Sequence, residues 1–169
     1  MSDRPAVPAL ETSLDYWESA RGRTKRVVAA IPPDRLEHSW ADGRWSLGDL
    51  VRHLGGIERG MYAETLRGHP SRYPGHGREL ADGLDPVVAY LDRCHVESME
   101  LFRALTPAQW EGKCLTPAGT PISTWKWFRA MIEHEAHHRG QIYLILNLLN
   151  VPTPPLYGLT EEEVRARSV

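Results

Sequence analysis

The chain has 169 residues, 41% of them apolar and 25% charged, and its formal net charge at pH 7 is −2. That is the balance of one globular domain over residues 1–169 with a core of its own, and no basic block offers a footprint for nucleic acid or anionic lipid. No apolar run is long enough to span a bilayer, and Met1 to Leu10 is short, polar and proline-containing rather than leader-like, so a cytoplasmic protein is expected.

Proline and glycine divide the chain into four amphipathic stretches and a tail, all with helical periodicity. In the first, Leu10, Leu14, Trp17, Ala20, Thr24, Val27, Val28 and Ile31 form one apolar stripe that Pro32-Pro33 ends. The second opens at Ser46 as N-cap, with Asp49 at the third helical position to complement the helix dipole, and should run to about Leu66. Leu47, Leu50, Val51, Leu54, Ile57 and Met61 make its buried stripe, while Gly55, Gly56 and Gly60 weaken it and permit a close neighbour. Residues 67–83, rich in glycine and proline, read as a long loop.

Asp85-Pro86 starts a third helix whose apolar side runs from Val87 to Leu105, and Thr106-Pro107 stops it. Cys94, on that helix, and Cys114 are too few and too far apart for a disulfide framework or a CxxC site, and are expected to be packing thiols. Ser123 or Thr124 caps a fourth helix that continues to about Asn150, with only a weak turn signal near Gly119 before it. Thr160 and Glu163 form a capping box for a short last helix ending near Arg167. The expected fold class is all-α: a four-helix bundle with long inter-helix loops and a short C-terminal helix.

The fourth helix carries the chemistry, in the run Glu133-His134-Glu135-Ala136-His137-His138-Arg139-Gly140-Gln141. At about 100° per residue, Trp127, Met131, His134, His138, Ile142, Ile145 and Leu149 share one stripe. Two imidazoles four residues apart on an apolar stripe either need buried hydrogen-bond partners or hold one metal ion together. A third ligand is needed, and His53, at the edge of the second helix's stripe, is the best placed, with His95 and Glu135 as alternatives. His137 projects almost a quarter turn away, as a supporting or interface residue. His38, His69 and His76 lie in loops and are expected to be solvated, and Trp17, Trp125 and Trp127 to be packing residues.

The run His134-Glu135-Ala136-His137-His138-Arg139-Gly140-Gln141-Ile142 resembles the fourth-helix motif of the DinB-like superfamily, four-helix-bundle metalloproteins that include YfiT-like proteins and several thiol-dependent transferases. Gly43-Arg44-Trp45-Ser46-Leu47-Gly48-Asp49-Leu50 leading to His53 resembles that family's second-helix entry, and Pro154-Pro155-Leu156-Tyr157-Gly158 is similar to its C-terminal segment. The resemblance spans essentially the whole chain in helix order. It implies His53, His134 and His138 as ligands to one divalent ion, zinc or nickel first and manganese or iron next, with water completing the shell. It also implies a homodimer, and a reaction that transfers groups to or from low-molecular-weight thiols such as bacillithiol or mycothiol.

Three functions follow from these readings. The first is a metal-dependent transferase or isomerase in which the open coordination position activates a thiol, with His137 or Arg139 binding an acidic cosubstrate or orienting a ligand; a surface salt bridge is the plainer role for Arg139. The second is a metal-dependent hydrolase, since His134-Glu135-Ala136-His137-His138 satisfies HExxH with Glu135 as base. A peptidase is disfavoured, because the metzincin extension needs Gly and His where Gln141 and Leu144 stand, and no strand-rich scaffold precedes the helix. The third is a non-catalytic metal-binding bundle, favoured if His95 closed the shell.

Overall fold

A computed structural model describes residues 6–168; the first five residues of the N-terminal stretch fall outside them. The element order is α1 (Leu10–Val28), a single 3-10 turn at Pro33–Arg35, α2 (Leu47–Ile57), a π turn at Glu58–Tyr62, and α3 (Ala63–Leu66). Then come α4 (Leu84–Arg103), α5 (Pro107–Glu111), β1 (Lys113–Leu115), β2 (Pro121–Ser123), α6 (Thr124–Leu148) and α7 (Glu161–Arg167). The π turn joins α2 to α3, so the expected second helix runs unbroken from Leu47 to Leu66. With α1, α4 and α6 it completes the four-helix bundle, α2 packing chiefly on α4 and α1 chiefly on α6. No described helix is long and apolar enough to cross a membrane.

The helix ends follow local chemistry. Ser46 and Asp49 form a reciprocal capping box at α2, and Thr160 and Glu163 do the same at α7. At the end of α6, Asn150 takes the left-handed conformation (φ 56°), Val151 N donates to Leu146 O and Asn150 N donates to Asn147 O. That is a Schellman closure with Asn in the position usually given to Gly.

Two elements were not expected. Thr106, besides following α4, caps α5 through a reciprocal box with Gln109. The segment read as a connection with a weak turn is an antiparallel hairpin, Cys114 opposite Ile122, turned at Gly119 (φ 77°).

The interior has two apolar clusters. One gathers Leu14, Trp17, Tyr62, Leu66, Phe102, Trp110, Phe128 and Met131; the other gathers Val27, Ile31, Leu47, Leu54, Leu91, Ile142 and Leu146. On every long helix a band of buried polar residues falls between the two sets: Arg21 and Thr24, His53 and Glu58, His95 and Ser98, then Glu135, His138 and Arg139. The candidate site belongs to this band.

Candidate metal centre

The capping box at Ser46 sets the phase of α2 and turns Leu47, Leu50, Val51 and Leu54 into the bundle. The same rotation buries His53, and the 3.6-residue period of α6 brings His134 and His138 to meet it. His53 Nε2 lies 3.2 Å from His134 Nε2, and His138 Nε2 lies 3.1 Å from the same atom. One ligand atom from each of the three fits within 4.8 Å of the others. His53 and His138 are buried and His134 is half-buried, so the cluster sits between α2 and α6 with one side toward the surface.

The second ring nitrogens decide what the first can do. His138 Nδ1 lies 2.7 Å from Gln141 Oε1, which only accepts, so the proton is on Nδ1 and Nε2 presents a lone pair. His53 Nδ1 lies 2.7 Å from the Tyr73 hydroxyl, which in turn reaches His76 Nδ1 at 3.3 Å. A chain running His53 Nδ1–H to Tyr73 to His76 satisfies all three groups and again leaves Nε2 bare.

The imidazoles are also held neutral. Burial, then the neighbouring His138, His134 and His76, pushes the His53 pKa down to about 3. Burial, then His138 and His137, pushes that of His134 down to about 4. Burial is likewise the main cause of the lowered value at His138, opposed by the bond that His138 donates to Gln141.

This donor set fits a divalent cation. At metal–imidazole bond lengths of about 2.0–2.1 Å, neighbouring donors on one ion lie roughly 2.9–3.4 Å apart, and the separations of His134 Nε2 from His53 Nε2 and His138 Nε2 fall in that range. His53 and His138 turn bare nitrogens toward His134 Nε2, an arrangement that one cation among the three could bridge.

Around the triad stand residues that sequence reasoning did not single out. The Trp45 ring covers it, with centroids 4.7 Å from His53, 5.8 Å from His138 and 4.2 Å from His76. Tyr73 arrives on the long loop, which docks where α2 and the π turn lack side chains. Arg72 N donates to Gly60 O, and a Cβ on Gly60 would meet Arg72 O at 2.8 Å. Gly56 likewise faces Gly75 O and Pro74. Arg52, fully buried, ties both flanking loops down by pairing with Glu37 and Asp49 and donating to Ala81 O. His76, expected to be solvated, is therefore half-buried beneath Trp45.

The other sequence candidates lie elsewhere. Glu135 is 2% exposed and faces α1, where Arg21 Nη2 comes within 3.3 Å of its carboxylate. Arg139 is 5% exposed rather than a surface ion-pairing residue, and its Nη1 lies 3.3 Å from both Ala20 O and Thr24 Oγ1. His95 is taken up by Glu58 at 2.9 Å and Glu18 at 3.2 Å, which leaves it no free nitrogen for the triad. Glu58 also pairs with Arg21 and accepts from Trp17 Nε1. His137 is exposed at the rim, its Nε2 3.3 Å from Gln141 Nε2.

Bundle and triad together define a helical protein whose side chains could hold one metal ion on three histidines. The family model of the DinB superfamily matches residues 16–142, and the chain belongs to that superfamily. YrdA of Bacillus subtilis strain 168, uncharacterized, is 23% identical over 163 residues, 91% of either chain. Among solved structures, YfiT from Bacillus subtilis matches with a TM-score of 0.69 at 17% identity, over 90% of this chain and 95% of its own. The mycothiol-dependent maleylpyruvate isomerase matches with a TM-score of 0.66 at 14% identity, over 80% of this chain and 61% of its own. At such identities the likeness to the two structures is one of fold.

Proposed function

We propose that the chain is a metal-dependent transferase or isomerase that uses a low-molecular-weight thiol, with His53, His134 and His138 holding the ion, zinc or nickel first. The observation that carries this reading is the triad itself: three neutral imidazoles with Nε2 atoms converging, and no fourth His, Cys, Asp or Glu in the cluster among the described residues. A three-histidine set leaves room for an exogenous ligand, the arrangement of catalytic rather than structural sites. The ion supplies Lewis acidity that lowers the pKa of a thiol or water placed in that position.

The chain itself supplies no thiolate. Cys94 and Cys114 are both buried, and burial pushes both thiols up. A sulfur nucleophile must therefore come from a cosubstrate. Support also comes from the bundle shared with the mycothiol-dependent isomerase. Gln141 and Tyr73 fix the tautomers of His138 and His53, and Trp45 shields the triad from bulk water.

YfiT is described as a probable metal-dependent hydrolase, which keeps water as the competing nucleophile. Glu135 is poorly placed as its base, since its carboxylate is turned toward Arg21 and α1. The test has two stages. Elemental analysis of untagged protein should find one ion per chain, lost in each of His53→Ala, His134→Ala and His138→Ala. The loaded protein is then offered electrophilic substrates with and without a low-molecular-weight thiol: thiol-dependent turnover supports the transferase, whereas turnover indifferent to thiol replaces it with a hydrolase. The homodimer is part of the same proposal, and sedimentation checks it.

A further inference from the structure

Beside the triad lies a cleft of about 600 Å³, of which His138 and Gln141 form one wall. Exposed large apolar residues gather at its mouth. Trp40 is 58% exposed, Leu144 58% and Leu148 64%, and Trp45, which also covers the histidines, completes the ring. Exposed apolar groups gathered around one concavity mark a binding site more often than a chance of packing.

One charge stands in that apolar frame. Arg44 lines the cleft with its guanidinium 5.7 Å above the Trp40 ring, and no carboxylate of the described residues pairs with it. The loop that carries it is fixed. Ser39 Oγ lies 2.8 Å from Arg44 O and 2.6 Å from Ala41 O, Arg44 N donates to Ala41 O, and Ser39 bridges to Ser46 at the start of α2. A cation held over an indole at the edge of an apolar cleft is complementary to an organic anion with an apolar body. The volume suits one small molecule, within the roughly 300–1,000 Å³ of ordinary ligand pockets.

We infer that this cleft binds a small apolar carboxylate, an aryl or branched-alkyl acid. Its body lies among the two indoles and the leucines, its carboxylate on Arg44, and the remainder of the molecule extends along the His138 wall. This deepens the proposed function by naming the class of its second substrate. It rests on that reading only for which end reacts; binding itself needs no ion.

The experiment is calorimetric titration with 3-phenylpropanoate and with the neutral 3-phenylpropanol, which has the same body. The acid should bind about tenfold or more tighter than the alcohol, the worth of a charge-assisted contact. Arg44→Met, on an exposed loop, should erase that preference while leaving the alcohol within about twofold. Leu144→Asp, equally exposed, should weaken both ligands.

His134→Ala separates this proposal from the metal reading. A preference that survives in His134→Ala but not in Arg44→Met supports Arg44 as the reader of the acid. A preference lost in His134→Ala and kept in Arg44→Met overturns the proposal, because the ion is then the reader. Binding of neither ligand to protein that holds one ion overturns the cleft and spares the metal centre; discrimination without any ion does the reverse. Failure to bind in a dimer that Leu144→Asp splits also overturns it, a second copy then being the occupant of this face.

Discussion

Two of the three triad histidines depend on a residue outside the triad. His138 takes its tautomer from Gln141, three residues further along the same helix, and His53 takes its own from Tyr73, twenty residues away. Removing such a partner typically costs about 10- to 100-fold in metal affinity. Tyr73→Phe and Gln141→Leu should each lower zinc affinity by that order in competition with a chromophoric chelator, with helix content unchanged by circular dichroism. Unchanged affinity in both would show that the outer hydrogen bonds do not set the tautomers. The histidine pair was legible in the sequence because a spacing of four on an apolar helix is itself a statement about direction. Gln141 was within reach of the same argument. Tyr73 was not: no local pattern in a loop reveals which histidine it will meet once the loop has docked. Glu135 shows the converse, since HExxH fixes spacing along a helix but not which neighbour the intervening carboxylate faces.

The loop that delivers Tyr73 is seated by an element the sequence only hinted at. Glycines in the second helix suggested a close neighbour, and the structure identifies that neighbour as the backbone at Arg72 and Tyr73 lying on Gly60 within the π turn. Single-turn π segments of this kind are frequent at functional sites. Gly60→Ala is accordingly expected to be worse than helix propensity predicts. The propensity gain of about 1 kcal/mol is reversed by a contact of 2.8 Å with Arg72 O, for a net loss of roughly 1–3 kcal/mol. Urea midpoints measure the loss, and weaker zinc binding should accompany it because Tyr73 is displaced. Gly22→Ala, whose Cβ meets nothing within 4 Å, serves as the control and should be neutral or stabilising. The long helices were readable from their caps and stripes. α5 and the hairpin escaped because Thr106-Pro107 reads equally as a stop and a start, and three-residue strands are too short to show an alternation.

Across the whole bundle, the polar band between the two apolar clusters works as one unit. Arg21, 1% exposed, pairs with Glu58 and approaches Glu135, and these three with Arg139 and His95 occupy the interior at the level of the triad. Desolvation makes such a band costly to keep, and costlier to break from one side. Arg21→Met leaves Glu58 and Glu135 buried together without their shared cation, an expected loss of roughly 3–5 kcal/mol by denaturant unfolding. A loss below about 1 kcal/mol would mean that the carboxylates take up protons at little cost.

The pH dependence separates the two halves of this band. Metal-free His53, His134 and His138 all have pKa values below the ordinary 6.5, His53 near 3 and His134 near 4, chiefly through burial. Between pH 6.5 and those values the unfolded chain binds protons that the folded chain refuses. Their contribution is therefore fully present above pH 6.5 and is lost as the pH falls toward 4 and then 3. His95 has the opposite sign. Its value is raised by Glu58 and Glu18 against the desolvation that is the largest single influence on it. What it contributes is complete below 6.5 and fades as the pH rises through its folded value. Urea midpoints taken with chelator from pH 8 to pH 4 should therefore decline on the acid side for the native chain, and less steeply when all three histidines are replaced by glutamine. His95→Gln should instead cost most below pH 6.5 and progressively less as the pH rises. If the triple variant kept the full acid slope, the carboxylates of the band rather than the triad would govern acid stability. The same protons compete with the ion for Nε2, but the folded site refuses them until the pH nears the lowered values, so metal affinity should hold over most of that range and fall as the pH approaches 4 and then 3.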